Sequence, residues 1–261
     1  MKVRLGDIEV AYTRHGEGSP VVMAHGLAED RRSWADVQTR LSEFATYAYD
    51  FRGHGETTLG EGEGALEQLG RDLINFLEAV TGPARCVGYS LGGAIVLWTA
   101  AERPDLVLQA IVAGTSTVVG RTAAGFFHDR IGLIETDFER FAAALRDDTA
   151  QQIVSAQVDL DEIVARRLRA IGDGGGYVNA ARAMQRLHEA PLTPRLPEIE
   201  CSVDIIGGDA DVFCPRKAAE IILSGLRDGA YHEIANAGHL ISIDQPAAYA
   251  EAITSALHRS K

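Results

Sequence analysis

Along the chain, short and nearly continuous apolar runs alternate with stretches in which apolar side chains recur every three to four residues, and this rhythm breaks once. The runs are "PVVMAHG" (20–26), "TYAYD" (46–50), "ARCVGYS" (84–90), "LQAIVAG" (108–114), "SVDIIGG" (202–208) and "AYHEIA" (230–235). Between and after them, helical spacing predicts helices at about 33–44, 65–80, 91–103, 215–227 and 246–257. In the second of these, Leu66, Leu69, Leu73, Leu77 and Val80 fall on one face; Pro104 closes the third. Strand, helix, strand, helix is the pattern of a parallel sheet with helices on both faces, and strands covered on both faces read as unbroken apolar runs. Before this series, "MKVRLGDIEVAYTRHGEG" predicts two short strands joined by a Gly-Asp turn.

The break lies between residues 115 and 195, which hold helical stretches at 137–148, 159–172 and 177–190 and no convincing strand. A Pro-rich exit, "PLTPRLPEIE", leads back to the alternation. The expected organisation is one α/β core from 1–114 and 196–261, with 115–195 inserted as a helical cap.

Composition narrows the function classes without choosing one. The chain has 261 residues, 46% hydrophobic and 24% charged, the balance of an ordinary folded domain. Its formal net charge is −12 and its Lys and Arg residues are scattered, which argues against a nucleic acid or an anionic membrane as partner. A small-molecule substrate is the expected partner, and a homo-oligomer is left open. Three cysteines, Cys86, Cys201 and Cys214, lack metal-ligand spacing, so no metal and no cofactor are expected. The amino terminus lacks the apolar core of a signal peptide, and no run approaches the roughly 20 apolar residues of a membrane span, so a cytoplasmic location is expected.

The candidate chemistry centres on "GYSLG", residues 88–92, between a predicted strand and a predicted helix. A sharp strand-to-helix turn lifts Ser90 above the sheet, and Gly88 and Gly92 relieve the crowding that such a turn creates. The hydroxyl needs a base and a group to orient that base. His239, in "NAGHLIS", follows the last predicted strand; Asp209 and Asp211, in "GGDADVFCP", follow the one before. The chain order Ser, Asp, His is the order such a turn requires. "AHGL" (24–27) follows the first strand of the series, where Gly26 permits close approach, so the N–H groups of Leu27 and Leu91 are the candidate oxyanion donors.

With these residues in place the chain resembles the α/β-hydrolase fold family, over essentially its whole length. His25-Gly26 matches the family's His-Gly loop; Asp50, Arg52, Gly53 and Gly55 match its Asp-x-Arg-Gly-x-Gly loop; and Gly238-His239 matches its terminal Gly-His. The family's Asp-x-x-Val-Pro turn matches Asp211 to Pro215 with Cys214 in place of valine, which favours Asp211 over Asp209 as the acid. The resemblance implies a doubly wound, mostly parallel eight-stranded sheet with an inserted helical cap. It also implies a serine hydrolase with a Ser90, Asp211, His239 triad, acting on a small ester, thioester or lactone.

Alternatives of the same fold are an enol-lactonase or carbon–carbon bond hydrolase of aromatic breakdown, a cofactor-free haloperoxidase, and a ligand receptor. The carbon–carbon hydrolases usually place an aromatic residue after the histidine, whereas here "LISID" follows. His25, Trp34, Phe126, Phe127, Tyr177 and Met184 are the candidate pocket residues, with Ile131, Leu133 and Leu145 as further cap positions. The cap arginines Arg166, Arg167, Arg169, Arg182 and Arg186 are expected to form a solvated face.

Overall fold

A computed structural model describes residues 1–259. Its eight strands are β1 (Lys2–Leu5), β2 (Ile8–His15), β3 (Pro20–Ala24), β4 (Ala45–Tyr49), β5 (Ala84–Tyr89), β6 (Val107–Ala113), β7 (Val203–Gly208) and β8 (Gly229–Ile234). They form one sheet in the order β1-β2-β4-β3-β5-β6-β7-β8, antiparallel at β1/β2 and β2/β4 and parallel elsewhere. The expected doubly wound, mostly parallel eight-stranded sheet is therefore present.

The core helices are α1 (Ala35–Arg40), α2 (Leu66–Phe76), α3 (Leu91–Glu102), α8 (Arg216–Gly225), a short α9 (Ile241–Asp244) and α10 (Pro246–Leu257). One apolar layer joins α2, α3 and α8 to the sheet through residues such as Leu73, Phe76, Ile95 and Ile222. The other joins α1 and α10 to the opposite face through Val37, Tyr249 and Ile253. Helix α3 is buried from Leu91 to Ala101, which explains why its sequence is apolar all round rather than on one stripe.

The chain leaves β3 toward β4 on one side and returns across the sheet to β5 on the other. β3 and β5 are thus neighbours whose connections diverge, and in such sheets the crevice outside the carboxyl ends at that point is where ligands bind. The His25-Gly26 and Ser90 turns both emerge there.

Between β6 and β7 stand four helices, α4 (Arg121–Thr136), α5 (Phe138–Gln151), α6 (Leu160–Ile171) and α7 (Gly175–Arg186). They have their own small core, in which Phe141 is fully buried and meets the Tyr177 ring edge-on at 5.1 Å. Asp137 and Asp159 cap α5 and α6 by accepting from the N–H groups of Arg140 and Glu162 at 3.1 and 3.0 Å, which fixes where each helix starts.

Three local expectations are corrected. The helix expected at 33–44 is shorter, a 3₁₀ turn at Arg31–Trp34 followed by α1. The one expected at 65–80 ends as α-helix at Phe76 and finishes in a π-helical turn over Leu77–Thr81. Helix α4 is not among the expected helices, because Gly125 and Gly132 interrupt it and only Ala124 and Ile131 are buried, too few to mark a stripe. Among the described residues no helix is long and apolar enough to cross a membrane.

Candidate active site

Ser90 caps the amino end of α3 with φ 52° and ψ −116°, a left-handed conformation that a side chain rarely adopts. Such a backbone carries strain of about 1–3 kcal/mol and persists only where neighbours hold it. Here the Ser90 N–H donates to the Ala113 carbonyl at 2.8 Å, and its own carbonyl accepts from the Thr115 hydroxyl at 2.7 Å. Gly88 and Gly92 are required by space: a Cβ on the first would overlap the Gly92 carbonyl, and one on the second the Ala24 carbonyl.

The turn delivers the Ser90 hydroxyl to His239, whose Nε2 lies 3.1 Å from Oγ. The other ring nitrogen, Nδ1, is 2.9 Å from Asp211 Oδ2. An imidazole between a carboxylate and a hydroxyl carries its proton on the carboxylate side, so Nδ1–H donates to Asp211 and Nε2 accepts from Ser90. Asp211 Oδ1 accepts the N–H groups of Phe213 and Cys214 at 2.8 and 2.9 Å. Burial pushes the Asp211 carboxyl up, but the hydrogen bond and charge of His239 and those two N–H groups outweigh it, leaving it below the ordinary aspartate range. Asp209 is placed differently and accepts the Ala237 N–H at 3.2 Å.

The His239 loop is tied down from three sides. The Tyr89 hydroxyl donates to the His239 carbonyl at 2.9 Å, the Leu240 N–H donates to the Gln152 carbonyl at 3.0 Å, and the Gly238 N–H donates to Asp244 Oδ2 at 2.8 Å. Asp244 Oδ1 also accepts the N–H groups of Val154 and Ser155, at 3.0 and 2.8 Å, so one carboxylate joins this loop to the cap. Asp244 and Gln152 carry no signal in the sequence, since neither lies in a recognisable motif.

Opposite Ser90, the 24–27 loop is held by two buried imidazoles. His25 Nε2 accepts the Phe51 N–H at 3.0 Å, and its Nδ1 is 2.7 Å from the Gly26 carbonyl. Burial, reinforced by neighbouring His54, holds His25 well below the ordinary histidine range, so it stays neutral as that hydrogen-bond pattern needs. His54 Nε2 lies 2.7 Å from the Leu27 carbonyl. The Gly26 N–H donates to Glu29 at 3.2 Å, and burial raises the Glu29 carboxyl above the usual range. Leu27 and Leu91 both border the cavity, and Leu91 opens α3, where the first N–H groups have no acceptor within the helix.

A cavity of about 450 Å³ lies between these turns and the cap. Phe126, Phe127, Tyr177 and Met184 line it, as does Leu145. His25 and Trp34 do not, contrary to expectation. His25 is fully buried behind its loop and stacks on Phe51, while Trp34 faces the α10 layer and stacks on Tyr249. Ile131 and Leu133 belong to the cap core. Lining residues beyond the expected ones include Glu29 and the exposed pair Val212 and Phe213 on the turn that carries Asp211. Arg167 also lines the cavity rather than a solvated face.

Cys214 places a thiol beside the pair, and the ligand atoms of Asp211, Cys214 and His239 lie within 4.8 Å of one another. Those of Asp211 and His239 already bond to each other, and burial holds the Cys214 thiol well above its usual pKa, so the trio is poorly prepared for a metal ion.

A family model described as the alpha/beta hydrolase family matches residues 21–252. The 3-oxoadipate enol-lactonase 2 of Acinetobacter baylyi is 24% identical, over 97% of this chain and 94% of its own. Among solved structures, an enol-lactonase from Burkholderia xenovorans superposes with a TM-score of 0.88 at 23% identity, covering 98% of this chain and 99% of the other. A malate-bound thermophilic esterase from Thermogutta terrifontis superposes with a TM-score of 0.86 at 22% identity, covering 99% and 98%. At those identities the two structures speak to the fold.

Proposed function

The chain belongs to the alpha/beta hydrolase family, and from that premise we propose that it is a serine hydrolase that cleaves a small-molecule ester, thioester or lactone through an acyl-enzyme on Ser90. One observation carries the reading: the unbroken line from the strained Ser90 hydroxyl through His239 to Asp211, at 3.1 and 2.9 Å. Ser90 Oγ attacks the carbonyl carbon while His239 Nε2 takes its proton. The tetrahedral oxyanion is met by the N–H groups of Leu27 and Leu91, where a donor of this kind lowers the barrier by about 3–4 kcal/mol. His239 passes the proton to the departing alkoxide or thiolate, and the acyl group stays on Ser90. Water then attacks with His239 as base, and the acid product leaves. Asp211 keeps the imidazole in the productive tautomer and stabilises its cation throughout.

The names of the relatives, enol-lactonases and an esterase, support lactones and acyclic esters as candidate substrates. The cap, 115–195, sets which acyl group fits. The test is release of p-nitrophenol from acetate, butyrate and octanoate esters at pH 7–8, together with opening of an aliphatic enol-lactone. Turnover that disappears in Ser90→Ala supports the reading; wild-type protein inert toward all four overturns it.

A further inference from the structure

The cavity above Ser90 contains a cation that forms no ion pair with a carboxylate among the described residues. Arg167 reaches it from α6, with Nη1 donating to Thr149 Oγ1 at 2.9 Å and Gln152 Oε1 at 2.8 Å, both neutral acceptors. Its Nε is buried and makes no hydrogen bond. Among the described residues no carboxylate lies within 4.0 Å of it.

Its neighbours in the cap behave otherwise. Arg130 is held by both oxygens of Asp148 at 2.7 Å, Arg166 pairs with Glu162, Arg182 pairs with Glu135 at 2.7 Å, and Arg186 donates to the Glu63 carbonyl. These follow the rule that a charge leaving water is paired or stays at the surface. Arg167 departs from it, and a guanidinium cannot escape by losing its proton.

One internal counter-charge is Glu29. It shares with Arg167 the wall between the catalytic cavity and a second one of about 320 Å³. Yet its Oε2 accepts the Gly26 N–H, it forms no ion pair with Arg167, and burial raises its carboxyl by more than the Arg167 charge lowers it. Asp148 is occupied by Arg130, and the Tyr89 and Tyr177 phenols, both raised by burial, stay uncharged. Gln152 holds Arg167 through its side chain and the His239 loop through its carbonyl, so the guanidinium is fixed relative to the reacting groups before any ligand arrives.

The geometry assigns Arg167 as the specificity residue of the pocket, binding a free carboxylate on the substrate, so that the preferred substrates are half-esters or lactones of small dicarboxylic acids. This rests on the serine-hydrolase reading of Ser90. A carboxylate fits better than a phosphate because one planar fork faces walls that are mostly apolar, including Phe126, Phe127 and Met184. A dianion would find too few donors.

The experiment compares kcat/KM for p-nitrophenyl hydrogen glutarate with that for p-nitrophenyl butyrate, which lacks the carboxylate. Wild-type protein is expected to prefer the glutarate half-ester. Arg167→Met is expected to lower that preference roughly ten- to a hundredfold, the worth of a hydrogen bond to a charged group, and Arg167→Lys to restore part of it. Calorimetric binding of monomethyl glutarate against methyl butyrate to Ser90→Ala, with and without Arg167→Met, reads the same contact without turnover. Equal binding of these two esters to Ser90→Ala, or an unchanged half-ester preference in Arg167→Met, overturns the assignment. Failure of the hydrolase reading shows separately, as wild-type protein that turns over neither p-nitrophenyl ester while the binding arm still discriminates the two methyl esters.

Discussion

The floor and the roof of the cavity are built to different rules. The floor is made of turns at the carboxyl ends of β3, β5, β7 and β8, and nearly every group in it has a backbone hydrogen bond holding its position. The roof comes from α4 to α7, which pack around Phe141 and Tyr177 and meet the floor through apolar contact with Leu27 and Ala28 and polar ties such as Asp244. Floor atoms that act on a carbonyl need placement to within about half an ångström, which turns anchored on a sheet supply. Roof side chains need only shape and charge, and helices can exchange them without moving a strand. The difference teaches that reaction type and substrate choice are separable in this molecule.

If that separation is sound, floor substitutions abolish turnover while leaving the fold intact. Asp211→Asn is expected to lower kcat on p-nitrophenyl butyrate by about 10⁴-fold, because the wrong imidazole tautomer faces Ser90. Circular dichroism and thermal unfolding check that the protein stays folded. A loss below tenfold would separate Asp211 from the relay.

Roof-core substitutions act on stability instead. Phe141→Ala removes a fully buried ring and is expected to destabilise the protein by about 3–5 kcal/mol, read by denaturant unfolding. Roof-lining substitutions act on selection: Met184→Ala enlarges the cavity and is expected to raise the octanoate-to-butyrate ratio of kcat/KM by about tenfold, with butyrate kcat little changed. A proportional fall for both esters would mean that the roof takes part in the chemistry.

The smallest effect sits where the two regions meet. Glu29 is raised in the folded state, so the fold opposes its ionisation; that penalty is present above its folded pKa and absent below the unfolded value of about 4.3. Glu29→Gln is therefore expected to raise Tm slightly at pH 8 and not at pH 4. Asp211 has the opposite sign, since its low folded pKa stabilises the protein above the unfolded value of about 3.9 and that contribution is lost as pH falls through the folded pKa. Equal shifts for Glu29→Gln at both pH values would show that packing, not charge, dominates there.

The same contrast explains what was legible in the sequence. Ser90, Asp211, His239, Leu27 and Leu91 each lie in a short stretch next to a strand, where glycine spacing and position announce the turn. Trp34 and His25 lie near the same loop in sequence but face away from the cavity, because a neighbour in the chain can occupy the other side of the sheet. Arg167 could not be told from Arg166 or Arg169 by helical spacing, since which residue of a polar stripe turns inward depends on how four helices settle over the sheet. Asp244 and Gln152 act through partners nearly 90 residues away, a relation that no local pattern encodes.

The central claim is that Ser90 is the nucleophile, and covalent labelling tests it most directly. Wild-type protein treated with a fluorophosphonate is expected to gain one adduct, mapped by peptide mass spectrometry to Ser90, with esterase activity falling in step. Folded wild-type protein that takes up no label, or Ser90→Ala that still hydrolyses p-nitrophenyl butyrate at the wild-type rate, would contradict it.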